Sequence, residues 1–397
     1  MTNSPLPSPT DPPRTFAEEV EFLRRHTDGV VVLGADAGGP RVAVVGEYQA
    51  RVMVSTAGGD AGACHGWINH GLIASGARTP QINAFGGEDR FWLGPEGGQF
   101  SIFFPPGTDY TFAQWQTPAA IDSEAYALVG ADANAASFSH EARLTNVSGT
   151  VFDVGISREI VLLGAEGIAG AIGVPLPGTV NAVGFESRNA ITNTGEEAWT
   201  RKSGLLSIWI PGMFRPGART TVVIPFREGP EERLGPVVND AYFGQIPAER
   251  LVVCEGRVFF RADAQHRGKL GLGPARGLGV AGSWAPEPGV LTIVQHSPPE
   301  VPTAAYVNSM WHHQDEPFAG DVINSYNDGP TTPGGEAIGG FYEIETSSPA
   351  LALRPGETGS HVHRTMHFAG ERGALDAIAR CVLGAGLDDI EAVFFVE

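Results

Sequence analysis

The sequence of 397 residues carries a formal charge of -19, from 45 acidic residues against 26 Lys and Arg, which argues against a nucleic-acid backbone or an anionic membrane surface as a partner. Its 42% apolar content is ample for a folded core, and 53 glycines and 30 prolines stay short of a low-complexity composition. No apolar run approaches the roughly 18 residues of a membrane span, and three widely separated cysteines, Cys64, Cys254 and Cys381, suit reduced thiols in a cytoplasmic protein.

Residues 1–14 read as a polar, Pro-rich tail with neither the basic region nor the apolar core of a signal peptide, and residues 15–397 as a single β domain. In TFAEEVEFLRRH, Phe16, Val20 and Leu23 share a helical face behind Thr15, and Glu18 completes a capping-box pattern, so a short helix is expected over 15–26. Strand-type runs follow at 30–33, 41–45 and 50–55, and then at 100–104, 125–129, 137–144, 151–163, 182–193, 204–210, 220–225, 251–261, 290–296, 321–326, 339–346, 350–353 and 361–368. Their spacing and their Gly, Pro and Asn punctuation indicate an all-β sandwich or barrel, not βαβ units. Two segments, 140–160 and 187–209, each place a T-N-x-(S/T)-G-type turn between strands, as a hairpin would. A second helix is expected over 373–383, near the end of the chain.

The densest polar stretch is QINAFGGEDRFWLGPEGGQFSIFF at 81–104, whose five glycines permit sharp turns and close approach to a ligand. Glu88, Asp89, Arg90, Trp92, Glu96 and Gln99 offer carboxylates, a guanidinium fork and a flat ring, the inventory of a carbohydrate site; the plainer reading is a charged turn with surface ion pairs. In FYEIET, Glu343 and Glu345 alternate onto one strand face, with Cα atoms roughly 6.5 to 7 Å apart. Facing a cavity they would form an acid-base pair, and facing outward a solvated surface.

In HVHRTMH, His361, His363 and His367 share a face, an arrangement that either chelates a metal or forms a hydrogen-bonded row. The turn before it resembles the first motif of a cupin, but no Glu follows the second His at the required distance. WHHQDE supplies Trp311 and His312, and the following DVINSYNDG supplies Asn324 and an Asn-Asp-Gly turn. His65 and His70 flank Trp67 and Asn69. Arg267, Lys269 and Arg276 form a small basic cluster without the order of a P-loop.

GGEDRFWLGPEGGQ at 86–99, RGKLGLGPAR at 267–276, NSYNDGP at 324–330 and YEIETSSPALALRPGE with the following His row at 342–367 resemble a bacterial family of unassigned function within the galactose mutarotase-like group. The resemblance covers most of the chain beyond about residue 30. It implies an all-β supersandwich of large antiparallel sheets, with short helices at the two ends and the site on a concave face. It also implies chemistry like that of aldose 1-epimerases, without a cofactor, on a small sugar or oligosaccharide. Glu343 or Glu345 then stands at the general base, His70 or His312 at the acid, and Glu88, Asp89, Arg90, Trp92, Lys269, Trp311 and Asn324 around the sugar. His140 and His296 are further candidates for the imidazole. Glycoside cleavage or lysis in the same cleft, and a non-catalytic sugar-binding module, are the alternatives.

Overall fold

Thr15 begins the first helix as its sequence predicts. Its hydroxyl accepts from the Glu18 N–H at 3.3 Å while the Glu18 carboxylate accepts from the Thr15 N–H at 2.8 Å, so two donors of the first turn are satisfied and α1 runs Phe16–His26. The computed structural model describes residues 14–297, 304–330 and 335–395, so the expected tail lies almost wholly outside the described residues.

A small sheet comes first, from β1 (Val30–Leu33), β2 (Arg41–Val45) and β3 (Arg51–Thr56), followed by the short α2 (His70–Ser75) and β4 (Trp92–Gly94). Next come β5 (Ala127–Ala131), β6 (Ala135–Thr145), β7 (Val151–Leu162), α3 (Ala165–Ile172), β8 (Val180–Asn193), β9 (Ser207–Phe214) and β10 (Thr221–Pro225). The chain continues through α4 (Glu231–Leu234), β11 (Leu251–Cys254), β12 (Arg257–Arg261), β13 (Gly268–Leu272), β14 (Val280–Ala285), β15 (Val290–His296), β16 (Ile323–Asn327) and β17 (Tyr342–Ser347). It ends with β18 (Thr358–Gly370), α5 (Arg372–Leu383) and α6 (Leu387–Ala392).

Ten strands form one antiparallel sheet, in the order β11-β12-β10-β14-β15-β18-β8-β7-β6-β5, and five form another, β13-β16-β17-β9-β4. Alternation along β17 and β18 sets the layers. Tyr342 and Ile344 of β17 join Leu270, Ile323 and Phe214 against Val222, Val258, Phe260 and Val294 of the large sheet. On the outer face of that sheet, Met366 and Phe368 of β18 pack with Ile168, Leu375, Ile378 and Leu387 of the helices. The three-stranded sheet covers the rest of the inner face, Val42, Val44 and Val52 meeting Phe138, Ile156, Ile160 and Phe185. These are large antiparallel sheets with six short helices among the described residues, the all-β architecture expected. None of the helices is long and apolar enough to cross a membrane, among the described residues.

Several local expectations fail for a physical reason. The apolar run 100–104 is not a strand: the Ser101 N–H bonds the Gly98 carbonyl at 3.0 Å and the Ile102 N–H the Pro95 carbonyl at 3.3 Å, a turn that buries Phe103 beside Trp92 and Trp115. The turn at 145–150 does join β6 and β7 as a hairpin, but after Asn193 the chain leaves the large sheet and enters the five-stranded one as β9. At that exit the Asn193 side chain donates to the Leu353 and Glu197 carbonyls. The run 350–353 makes only a single bridge, Leu351 to Leu206. The Gly-rich β13 and β14 give no apolar periodicity to read.

One buried ion pair ties the layers. Arg158 of β7 reaches the Ala50 carbonyl at 3.0 Å, Asn189 of β8 at 2.7 Å and the Asp89 carboxylate, and both charged side chains are wholly inaccessible. Removing one partner leaves the other as an uncompensated buried charge. Asp89→Ala is therefore expected to destabilise by about 3–5 kcal/mol in urea unfolding, and Asp89→Ala with Arg158→Leu by less than Asp89→Ala alone. Equal or greater loss in the double variant would contradict this role.

Candidate functional site

Glu343 and Glu345 leave β17 on the side away from the large sheet. In register beside them, Asn324 of β16 lies opposite Glu345 and Tyr326 opposite Glu343, with Lys269 of β13 opposite Tyr326. On the other flank, Pro211 and Met213 of β9 lie opposite Glu345 and Glu343, and Trp209 follows one pair along. Segments 95–116 and 304–320 close over this face, so Glu345 is fully buried and Glu343 nearly so.

Gly86 and Gly87 deliver Arg90 to the site. Both have positive φ, and a Cβ on Gly86 would sit 2.1 Å from the Trp67 carbonyl oxygen, so only glycine lets this segment press between β3 and β9. The Glu88 N–H then donates to the Val52 carbonyl at 2.7 Å and the Met213 N–H to the Gly87 carbonyl at 2.8 Å. Arg90 emerges with Nε on the Pro211 carbonyl at 3.2 Å, its guanidinium 4.8 Å from the Trp92 ring centroid, and Nη2 on Glu343. Lys269 donates to Oε2 of Glu345 at 2.9 Å, and Trp209 Nε1 donates to the same oxygen at 2.8 Å. Oε1 of Glu345 is buried and has no hydrogen-bond partner.

The two glutamates differ in what surrounds their charge. Burial pushes the Glu343 carboxyl up to about 8; Arg90 opposes the shift, and the neighbouring Glu345, by charge and by direct contact, adds to it. Near neutral pH Glu343 thus keeps its proton most of the time, and its bond with Arg90 is one between a cation and a neutral carboxyl. The Lys269 ammonium is held above its ordinary range: burial alone would lower it, but Glu345, Glu96 and Glu343 together outweigh that. Glu96 is a third carboxyl here, raised by burial against the pull of Lys269. The rest of the wall is a network in which Tyr242 donates to Asp321 at 2.6 Å and Asn324 to the Tyr242 oxygen at 3.2 Å. The free space among Gly94, Ser207, Trp209, Lys269, Tyr242 and Asp321 is about 10 Å³, room for about one water. A larger ligand requires the cover to move.

The cover is the segment that contains Trp311. Bonds from Tyr306 N–H to the Phe318 carbonyl (3.2 Å), Asn308 N–H to the Pro317 carbonyl (2.9 Å) and Gly320 N–H to the Tyr306 carbonyl (3.0 Å) close it on itself as a compact loop. Gln99 and Gln314 exchange two bonds, at 2.8 and 3.0 Å, that hold it down. Trp311 stacks on Trp115 at 5.7 Å, and its indole favours the charged form of Glu96.

Of the residues expected at a sugar site, Arg90, Trp92, Lys269, Trp311, Asn324, Glu343 and Glu345 do gather on or over this face. Glu88 and Asp89 do not. Glu88 turns between the sheets, where Ser55 donates to it and His367 lies 3.0 Å away, and Asp89 is engaged by Arg158. The glycine-led run thus divides its charges, Glu88 and Asp89 to interior ties and Arg90 to the site. His70 is held 2.7 Å from Glu19 of α1 and packs on Phe22. His312 is exposed, with Nδ1 on the His313 carbonyl. Neither imidazole meets the glutamates, and among the described residues no histidine hydrogen-bonds to Glu343, Glu345 or Lys269.

The His row is buried between the sheets. His361 Nε2 and His363 Nδ1 both meet the Thr346 hydroxyl at 2.8 Å, while His367 lies between Thr292 and Glu88. Burial lowers His363 to about 4, and His361 well below its ordinary value. The three rings do not converge, and among the described residues no group of three His, Cys, Asp or Glu could hold a metal ion. Trp209, Tyr242 and Asp321 went unread as site residues. Only the Trp in the alternating run SIWI gave a hint, since Trp209 and the core residues Ile208 and Ile210 point to opposite faces of β9.

Residues 14–394 match the family of unknown function DUF6786, and the chain belongs to that family. No curated protein matches it. Among solved structures, the Slr1438 protein from Synechocystis sp. PCC 6803 is similar at 12% identity and a TM-score of 0.51, over 87% of this chain and 98% of that one. A candidate aldose 1-epimerase from Escherichia coli K12 has 12% identity and a TM-score of 0.49, over 86% of this chain and 100% of that one. A galactose mutarotase-like protein from Lactobacillus casei ATCC 334 has 12% identity and a TM-score of 0.47, over 85% and 100%. At such identities the likeness concerns the fold alone.

The raised Glu343 carboxyl has a consequence for stability. Its proton is bound more tightly in the fold (about 8) than in the unfolded chain (4.5), so the stability it contributes is complete below the lower value and is lost as pH rises through the upper one. Glu343→Gln, which cannot ionise, is expected to lose less stability than the natural protein between about pH 5 and about pH 9 in urea unfolding. Parallel pH dependences in the two proteins would show that Glu343 is not raised.

Proposed function

We propose that this member of DUF6786 catalyses acid-base chemistry at the anomeric carbon of a sugar, as an aldose 1-epimerase does. The observation that carries the proposal is the pair on β17: two adjacent glutamates, one kept protonated by burial and the other bound to an ammonium and an indole N–H. Environments that push two neighbouring carboxyls apart prepare one as acid and one as base.

In this reading Glu345 is the base, and Oε1, the oxygen that neither Lys269 nor Trp209 engages, takes the proton of the anomeric hydroxyl. Glu343 gives its proton to the ring oxygen. The bond between the anomeric carbon and the ring oxygen breaks as the carbonyl forms. Rotation of the aldehyde and the reverse proton transfers then close the ring on its other face, returning both protons. Arg90 and Lys269 offset the charge that moves between the two carboxyls, each proton transfer contributing about 10² to 10⁴ in rate. Trp209 and Trp311 supply aromatic faces for the sugar, and Asn324 a hydroxyl partner. No imidazole is needed, because the second carboxyl takes that role.

The three unpaired cysteines suit a reducing, cytoplasmic setting.

The test follows anomeric exchange by saturation-transfer NMR against free aldoses, aldose phosphates and short oligosaccharides. Exchange faster than in buffer is expected, reduced about 10² to 10⁴-fold by Glu345→Gln or Glu343→Gln, and declining in the natural enzyme as pH rises through about 8. New reducing ends would move the assignment to glycoside cleavage. Saturation transfer without exchange, unaltered by either substitution, would make the protein a sugar-binding module.

A further inference from the structure

A second cavity, of about 580 Å³, opens where the loop 274–279 meets the ends of β14 and β15 and the flanks of α3 and α5. That size is usual for a site holding a small organic molecule. Its walls are largely apolar, from Ile172, Val280, Val322 and Val382, and Leu278 at its rim is 48% exposed. Its charged lining is cationic only: Arg227 and Arg364 face it, and no carboxylate does among the described residues. In a chain with 45 acidic residues against 26 basic ones, a pocket lined by arginines alone is a local reversal of sign.

The two cations differ in their partners. Arg364 donates through Nε to Glu186 at 2.6 Å, and Arg188, which shares that carboxylate at 2.7 Å, is also paired with Glu159 at 2.9 Å, so Arg364 is compensated. Arg227 is exposed and donates to the Ala275 carbonyl at 2.7 Å, with no ion-pair partner among the described residues. Its neighbour Glu228 turns toward Gly256, where a Cβ would stand 3.5 Å from the carboxyl carbon. Beneath the loop, buried Arg276 donates to the carbonyls of Gly235, Arg227 and Gly229. It fixes the backbone that presents Arg227 and adds a further positive charge.

We propose that this cavity binds an amphipathic organic anion, with a carboxylate or phosphate head held by Arg227 and Arg364 and an apolar body against Ile172, Val280, Val322 and Val382. Guanidinium forks match the oxygen geometry of such heads, and the apolar wall gives the body a place out of water. Tyr306 at the back of the cavity belongs to the loop that covers the glutamates, so the occupant lies against the far side of that cover.

Calorimetric titration of the full chain with octanoate, octyl phosphate and the neutral octanol tests this directly. Saturable one-to-one binding is expected for at least one of the anions, with octanol weaker by about tenfold or more, as for loss of a hydrogen bond between charged groups. The stronger anion identifies the head group. Arg227→Glu, at an exposed position, is expected to weaken anion binding by about tenfold or more without shifting the melting temperature, and Arg227→Lys to retain part of it. The proposal is overturned if neither anion binds saturably, if octanol binds as well as the anions, or if Arg227→Glu binds them unchanged.

Discussion

Two cations hold two glutamates of one strand in a space with almost no water. Arg90 and Lys269 are each committed to a carboxyl of β17, and the fold around them is arranged to bring them there. Lys269 comes from β13, two strands away, and Arg90 from a segment that is not itself a strand. Such charges are costly to bury alone and tolerable together. The solution is asymmetric: Glu345 is satisfied on one oxygen by two donors, whereas Glu343 retains its proton, so the cluster avoids two adjacent buried anions. That asymmetry makes the pair chemically useful.

The interior between the sheets holds buried charged and polar side chains that serve as ties. Arg158 with Asp89 and His367 with Glu88 tie the large sheet to the 86–90 segment, and the Thr346 hydroxyl with His361 and His363 ties the two larger sheets together. Their neutral or paired states leave no free group to do chemistry. They also fix the register on which the site depends: shifting β17 by one residue would send Ile344 into the cavity and the glutamates into the core. The cover is held differently, by the exchange between Gln99 and Gln314 and by aromatic stacking, and none of the buried ties involves it.

Much of the fold was legible because strands announce themselves by alternation and turns by Gly, Pro and Asn. The capping box at Thr15 and the alternation of Glu343 with Ile344 were read correctly from residue pattern alone. What failed depended on long-range contacts. The residues of 81–104 form one polar run in sequence, yet Glu88 and Asp89 belong to the interior while Arg90 and Glu96 belong to the site, a partition set by β3 and β9 on either side. The apolar run 100–104 looked like a strand because burial against Trp92 and Trp115 requires the same residues as a buried strand. The histidine row stayed open for the same reason: imidazoles on one face are either a metal site or a set of hydrogen bonds, and it is Thr346, on the facing sheet, that gives His361 and His363 their bonds.

The central claim is that Glu343 is a protonated carboxyl at neutral pH beside Glu345. Carbon-13 NMR of the glutamate side-chain carboxyls, followed through a pH titration, addresses it directly. The account predicts one carboxyl resonance that titrates near pH 8 and disappears in Glu343→Gln. If every glutamate resonance instead titrates within the ordinary carboxylate range, Glu343 is a plain ion-pair partner of Arg90, and the acid-base assignment built on it fails.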